Sequence, residues 1–258
     1  MAKKLKFLLA NQIEWKLLFK AIITSLVIFG VYLLNFSFWA IFTALVALAV
    51  IFLRESPERK VFSISFWLLA ILGLLGLFFL KSGGLVSYFL VFGLCFLIFL
   101  LFFLWFGLVS FFFQNRFAVY GIFNTALLIG FFLVLFYLNP PSAFGSVVFI
   151  LVWSLGLFLA MTFIFKEIFS FFGVFLGKRG WLTSFSLGFL GLELAWFLAF
   201  LPLGFVNAAA FLTLLFILLR DSVLGHFQGH LNVNFVFREL TFLVFLSIII
   251  FATAKWII

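Results

Sequence analysis

The chain reads as a succession of long apolar runs broken by brief polar punctuation. The runs lie at 17–34, 36–53, 61–80, 85–106, 117–138, 143–165, 181–201, 203–219 and 240–258. Each approaches the roughly 20 residues that a helix needs to cross about 30 Å of hydrocarbon. Charged groups, proline, or clusters of glycine and asparagine separate them. Barrel strands would alternate polar and apolar residues, whereas these runs are apolar on every side. Hydrocarbon offers no water to backbone amides, so such segments must satisfy their hydrogen bonds internally, as helices. The pattern therefore predicts an all-α polytopic transmembrane helix bundle of about nine spans. The four prolines, Pro57, Pro140, Pro141 and Pro202, fall between predicted spans, where a missing N–H breaks no helix.

Composition reinforces this reading. Of 258 residues, 68% are hydrophobic and 9% charged, against about 45–50% and about 25% in soluble domains. A fold of this size cannot hide so much apolar surface from water. Phenylalanine, with 48 residues, inserts favourably at helix centres and reads as lipid-facing bulk and interhelical packing. Cys95 is the single cysteine, so no internal disulfide is expected. Lys3, Lys4 and Lys6 precede an apolar stretch as in a signal peptide, and Ala47-Leu48-Ala49 faintly resembles a cleavage site. That site follows two long apolar segments rather than one of about 7–15 residues, so no cleaved targeting peptide is expected.

Charge then orients the spans. With the N-terminus inside, fourteen basic residues fall on the inner face: Lys3, Lys4, Lys6, Lys16, Lys20, Arg54, Arg59, Lys60, Arg116, Lys166, Lys178, Arg179, Arg220 and Arg238. Two, Lys81 and Lys255, fall outside. The weakest break is Asn35-Phe36-Ser37, which has neither glycine nor proline. Were 17–53 a single crossing, seven basic residues would lie inside and nine outside. It would also make a helix of about 55 Å, well beyond a bilayer. The positive-inside rule favours the first arrangement, N-terminus in and C-terminus out. The net charge of +9 thus serves topology and contact with anionic headgroups on the inner face; no nucleic-acid partner is expected.

The domain reading is correspondingly simple. Residues 1–16 form a basic cytoplasmic or interfacial segment that could lie on the surface as an amphipathic helix. Residues 17–258 form one integral membrane domain with interfacial inner loops at 166–180 and 220–239. The ten residues between Lys166-Glu167 and Lys178-Arg179 would make only about 15 Å of helix. They therefore either lie at the interface or extend the sixth helix. Leu231, Val233, Phe235 and Phe237 alternate with mostly polar neighbours, which predicts a short extended piece. Trp15, Trp39, Trp181 and Trp256 lie near span ends, and Trp67, Trp153 and Trp196 lie deeper, where they are expected to pack between helices.

Few residues offer chemistry. Glu193 is the one acid within a predicted span, and an intramembrane acid calls for a partner, water or the bundle interior. Ser186, two turns earlier, and Asn207, early in the next span, are polar companions, and Lys255 could pair with Glu193 if the ninth helix is adjacent. The competing structural reading is a glutamic acid hydrogen-bonded to a neighbouring helix. Asp221, His226 and His230 form a second group in the 220–239 loop. His226 and His230 have the i, i+4 spacing of helical metal ligands, but Phe227 stands where a zincin needs its glutamate. His230-Leu231-Asn232-Val233-Asn234 matches one element of membrane-embedded CAAX-type proteases, but the paired-glutamate motif of that family is missing. No metal, cofactor or catalytic residue is predicted; the histidines read as solvated. Gly73/Gly76 and Gly188/Gly191 are small residues at helical spacing, as in close helix packing.

The segment Glu193-Leu194-Ala195-Trp196-Phe197-Leu198-Ala199-Phe200-Leu201-Pro202-Leu203-Gly204, with His230-Leu231 and Thr253-Ala254-Lys255-Trp256, resembles uncharacterised multi-pass proteins of candidate-phylum bacteria. The resemblance covers the last quarter of the chain. It implies a bacterial inner-membrane protein and brings no activity. Three functions then compete. A structural, assembly or lipid-interacting subunit suits the short outer connections and basic inner face. A transporter or flippase of a lipid-like or proton-coupled substrate would use Glu193. An enzyme would have only the histidine pair.

Overall fold

The computed structural model describes residues 2–53, 63–82, 88–110, 112–138, 147–174, 177–201, 203–229 and 232–253, with side chains from Trp15 onward except at 82, 88, 147–149, 152 and 235. Among the described residues there are nine helices and no strand: α1 Ala2–Leu33, α2 Phe38–Leu53, α3 Ser63–Ser82, α4 Tyr88–Val109, α5 Arg116–Leu138, α6 Val147–Phe171, α7 Lys178–Phe200, α8 Phe205–Phe227 and α9 Val233–Thr253. Eight contain a stretch long and apolar enough to cross a bilayer; α2, with 16 residues, is the shorter one. The chain is an all-α, multi-pass membrane protein, and it divides into two compact units, 1–127 and 128–258.

In the first unit the doubtful break at Asn35 is a well-made turn. The Phe36 amide donates to Val31 O at 2.9 Å and the Asn35 amide to Tyr32 O at 3.1 Å. This is a Schellman closure with Asn35, φ 58°, at its left-handed position and Phe36, φ 54°, left-handed after it. Asparagine is among the few side chains that tolerate that region. Ser37 then starts α2, its Oγ accepting from the Ala40 amide at 3.3 Å, the role of an N-cap serine. Phe36 lies edge-on to Phe78 of α3 at 5.4 Å. Lys81, in the last turn of α3, donates to Asn35 Oδ1 and sits 6.0 Å from the Tyr32 ring.

At the opposite end of this unit Phe52 of α2 meets Phe66 of α3 at 5.2 Å and Trp105 of α4 at 6.3 Å. Lys20 of α1 lies over Phe106 of α4 at 5.9 Å. Arg116 donates to Leu108 O at 3.0 Å, closing the end of α4. α2 therefore returns the length of α1, and α3 runs parallel to α1. The described basic side chains separate accordingly, with Lys81 at one end and Lys20 and Arg116 at the other.

In the second unit α6 and α7 lie antiparallel and touch along their lengths. Trp196 Nε1 donates to Ser154 Oγ at 3.0 Å, and Trp153 stands edge-on to Trp196 at 6.0 Å. Gly188 faces Thr162 so closely that an added Cβ would lie 3.0 Å from the Thr162 backbone nitrogen and 3.2 Å from its Cα. Phe216 of α8 stacks on Phe165 of α6 at 4.3 Å. α9 runs beside α8, with Phe211 and Phe251 5.3 Å apart.

Two expectations change and one alternative is decided. The basic N-terminal segment is continuous with the first span as one helix, α1, not a separate surface helix. Of the two alternatives for the residues after Lys166, extension of the sixth helix holds, α6 running through Lys166 and Glu167 to Phe171. The expected extended piece is instead helical from Val233, the start of α9, with the Val236 amide bonded to Asn232 O at 3.1 Å; Leu231 lies outside the described residues. Beside hydrocarbon, a backbone that closes its own hydrogen bonds outweighs a short alternating pattern.

Candidate functional site

Glu193 lies on α7, about 22 Å of helix rise from Lys178 and about 10 Å from Phe200, inside a helix long and apolar enough to cross a membrane. The interior face of α7 carries a line of small residues, Ser184, Gly188, Gly191 and Ala195, buried together with Leu187 and Leu198. That close approach to α6 fixes the rotation of the helix and turns Glu193 the other way. Glu193 and Ser186 are both exposed. They share a stripe with exposed Leu182, Phe189, Phe197 and Phe200, at the three- and four-residue spacing of one helix face. Among the described residues Glu193 has neither a hydrogen bond nor an ion pair.

The predicted companions do not gather around it. Ser186 shares the face but stands two turns away. Asn207 is half-buried in the first turn of α8. Lys255, the proposed counter-ion, lies outside the described residues, as do Pro202 and Trp256. Polar groups that are buried lie elsewhere: Asn124 on α5, Thr162 and Glu167 on α6, and Thr213 on α8. Sequence reading had not singled out Glu167, because its neighbour Lys166 made the pair look like a solvated boundary.

Asp221 and His226 are on the last turns of α8, not in a loop. Asp221 is bound to its neighbour: Arg220 Nε donates to Asp221 Oδ1 at 2.7 Å. His226 is exposed. The helix stops at Phe227, and Gly229 turns the chain with φ 71°, so the helical register that would align His226 with position 230 ends before reaching it. His230 itself lies outside the described residues. No cluster of three or more metal-ligating side chains occurs among the described residues.

The second unit also holds a feature that sequence reading missed. A cavity of about 210 Å³ opens where α6 ends and α7 begins, lined in part by Lys166, Ser170, Gly177, Gly180, Trp181 and Ser184. Lys166 Nζ rests 3.8 Å from the centre of the Trp181 ring, a cation–π contact that holds the ammonium in place. The signal in the sequence was the bracketing of one short turn by Lys166 and Lys178-Arg179; that Trp181 closes the bracket depends on the hairpin.

No family model matches this chain, no curated protein matches it and no solved structure matches it; its fold class stands on its own helices, those of a multi-pass membrane protein.

Proposed function

We propose that this protein is a structural or assembly subunit of a membrane complex, docking through the outward stripe of α7 to a transmembrane helix that presents a hydrogen-bond donor. The carrying observation is Glu193, exposed on a face that is otherwise apolar but for Ser186, two turns away. Exposed phenylalanine and leucine are ordinary in lipid and mark nothing. A carboxyl group is different, because hydrocarbon leaves it without hydrogen bonds and its charged form is costly there. A donor on a facing helix, such as an asparagine, serine or basic side chain, removes that cost. The transporter reading has less support, since it needs Glu193 to line an internal path. The distribution of basic residues and the resemblance of the last quarter support a bacterial inner membrane as the setting.

A photo-crosslinking amino acid at Phe189 or Leu190, introduced into the full chain in its native membrane, tests this. The expected result is one discrete heteromeric adduct, retained in Glu193→Gln, which keeps hydrogen-bonding capacity, and reduced about tenfold in Glu193→Leu. Adducts of twice the chain mass would assign the face to a second copy. Lipid adducts alone, unchanged by Glu193→Leu, would refute docking at this face.

A further inference from the structure

We infer that the α6–α7 cavity binds a phosphate group, and that its source in the membrane is the headgroup of an anionic phospholipid. This inference is independent of the α7 docking stripe, which lies on a different face of that helix and is centred on Glu193, about three turns beyond Trp181.

The cavity has the polarity of an anion site. Its cation is Lys166, half-buried and fixed over Trp181. Ser170 supplies a hydroxyl at the wall. The first turn of α7 closes one side, and its N-cap residue, Gly177, has no side chain to satisfy the leading amides. Lys178 and Arg179 are exposed in the same turn, and no carboxylate is among the described lining residues. Backbone shape opens the site. Gly177 has φ 124° and Gly173 φ 68°, conformations that L side chains rarely adopt, one just before α7 and the other just after α6. The buried floor includes Phe169 and Ser184, while Gly177 and Trp181 at the rim are exposed.

A lipid fits better than a free anion because an apolar track leads into the cavity. Leu155, Leu159 and Phe163 are exposed at i, i+4 and i+8 on α6, one line along the helix ending a turn before Lys166. Phe163 and Trp181 meet edge-on at 5.9 Å at the mouth. An acyl chain lying on this track carries its phosphate to the level of Lys166 and the α7 amides. Lysine at the membrane surface is worth roughly a fivefold change in affinity for anionic lipid.

The test uses the purified full chain in neutral detergent, with lipid adducts counted by native mass spectrometry. Dioleoyl phosphatidylglycerol is expected to bind more tightly than dioleoyl phosphatidylcholine. Lys166→Gln should weaken phosphatidylglycerol about fivefold, Lys166→Arg should restore it, and Lys81→Gln, in the other unit, should leave it unchanged. If Lys166→Gln loses helical circular dichroism, the exposed pair Lys178→Gln/Arg179→Gln carries the test with the same expected direction. Equal binding of the two lipids, or wild-type phosphatidylglycerol binding in the correctly folded variants, overturns the proposal. Saturable binding of inorganic phosphate that Lys166→Gln abolishes, without a preference for phosphatidylglycerol, overturns the assignment to lipid.

Discussion

At the scale of single residues, position in the fold changes what a polar side chain means. Asn35 carries no charge and interrupts a long apolar stretch, yet it holds the left-handed corner on which the α1–α2 reversal turns. Replacing Asn35 by alanine should destabilise the protein by about 1 kcal/mol, because a Cβ-bearing residue without a local hydrogen bond is strained there. The contact with Lys81 is lost as well. Asn35→Gly should be close to neutral in the backbone term. Thermal unfolding in detergent checks both, and equal midpoints for the two variants would contradict the account. Glu193 was visible in the sequence as an isolated acid, but whether it faced inward or outward was not. The answer came from its neighbours: four small buried residues on the opposite face of α7 pull that face against the fold and leave Glu193 exposed.

At the scale of elements, the α6–α7 hairpin has the most specific contacts. Gly188 admits the Thr162 backbone, and Trp196 is tied to Ser154 and Trp153. Gly188→Leu should force the helices apart and lower stability by about 1–3 kcal/mol, the usual range for overpacking. Gly156 of α6 has open space where a Cβ would go, so Gly156→Ala should have little effect or stabilise slightly. Parallel melting curves distinguish the two. The spacing of Gly188 and Gly191 did indicate close helix contact in the sequence, but not the partner, since glycine says nothing about what approaches it. The helix ends were harder. The readings of 166–180 and 220–239 as loops placed boundaries where charge first appeared. A helix can carry Lys166, Arg220 and Asp221 past that point when long side chains reach the interface or pair with each other, as Arg220 and Asp221 do.

At the scale of the whole molecule, the positive-inside pattern and the geometry of the first unit agree about α2. With 16 residues α2 is about 24 Å long, short for a crossing. Even so, its far end meets the start of α3 and the end of α4, while Lys81 returns to the Asn35 turn. The sequence places Lys81 outside and Lys178 inside. In a Cys95→Ser background, a Lys81→Cys variant should therefore react with a membrane-impermeant thiol reagent on intact cells. A Lys178→Cys variant should react only after permeabilisation, and the reverse labelling would invert the topology. The sequence alone determined the solvent, the class of fold and the approximate spans. These follow from apolar length and from the backbone's need for hydrogen bonds in hydrocarbon, which depend on local composition. Tertiary structure decided the rotation of each helix, and so the exposure of Glu193, the end of helical register before position 230, and the meeting of Lys166 with Trp181 across a turn. Rotation and juxtaposition are set by which small and large side chains interlock between helices distant in sequence, and in a chain apolar on all sides no periodicity records them.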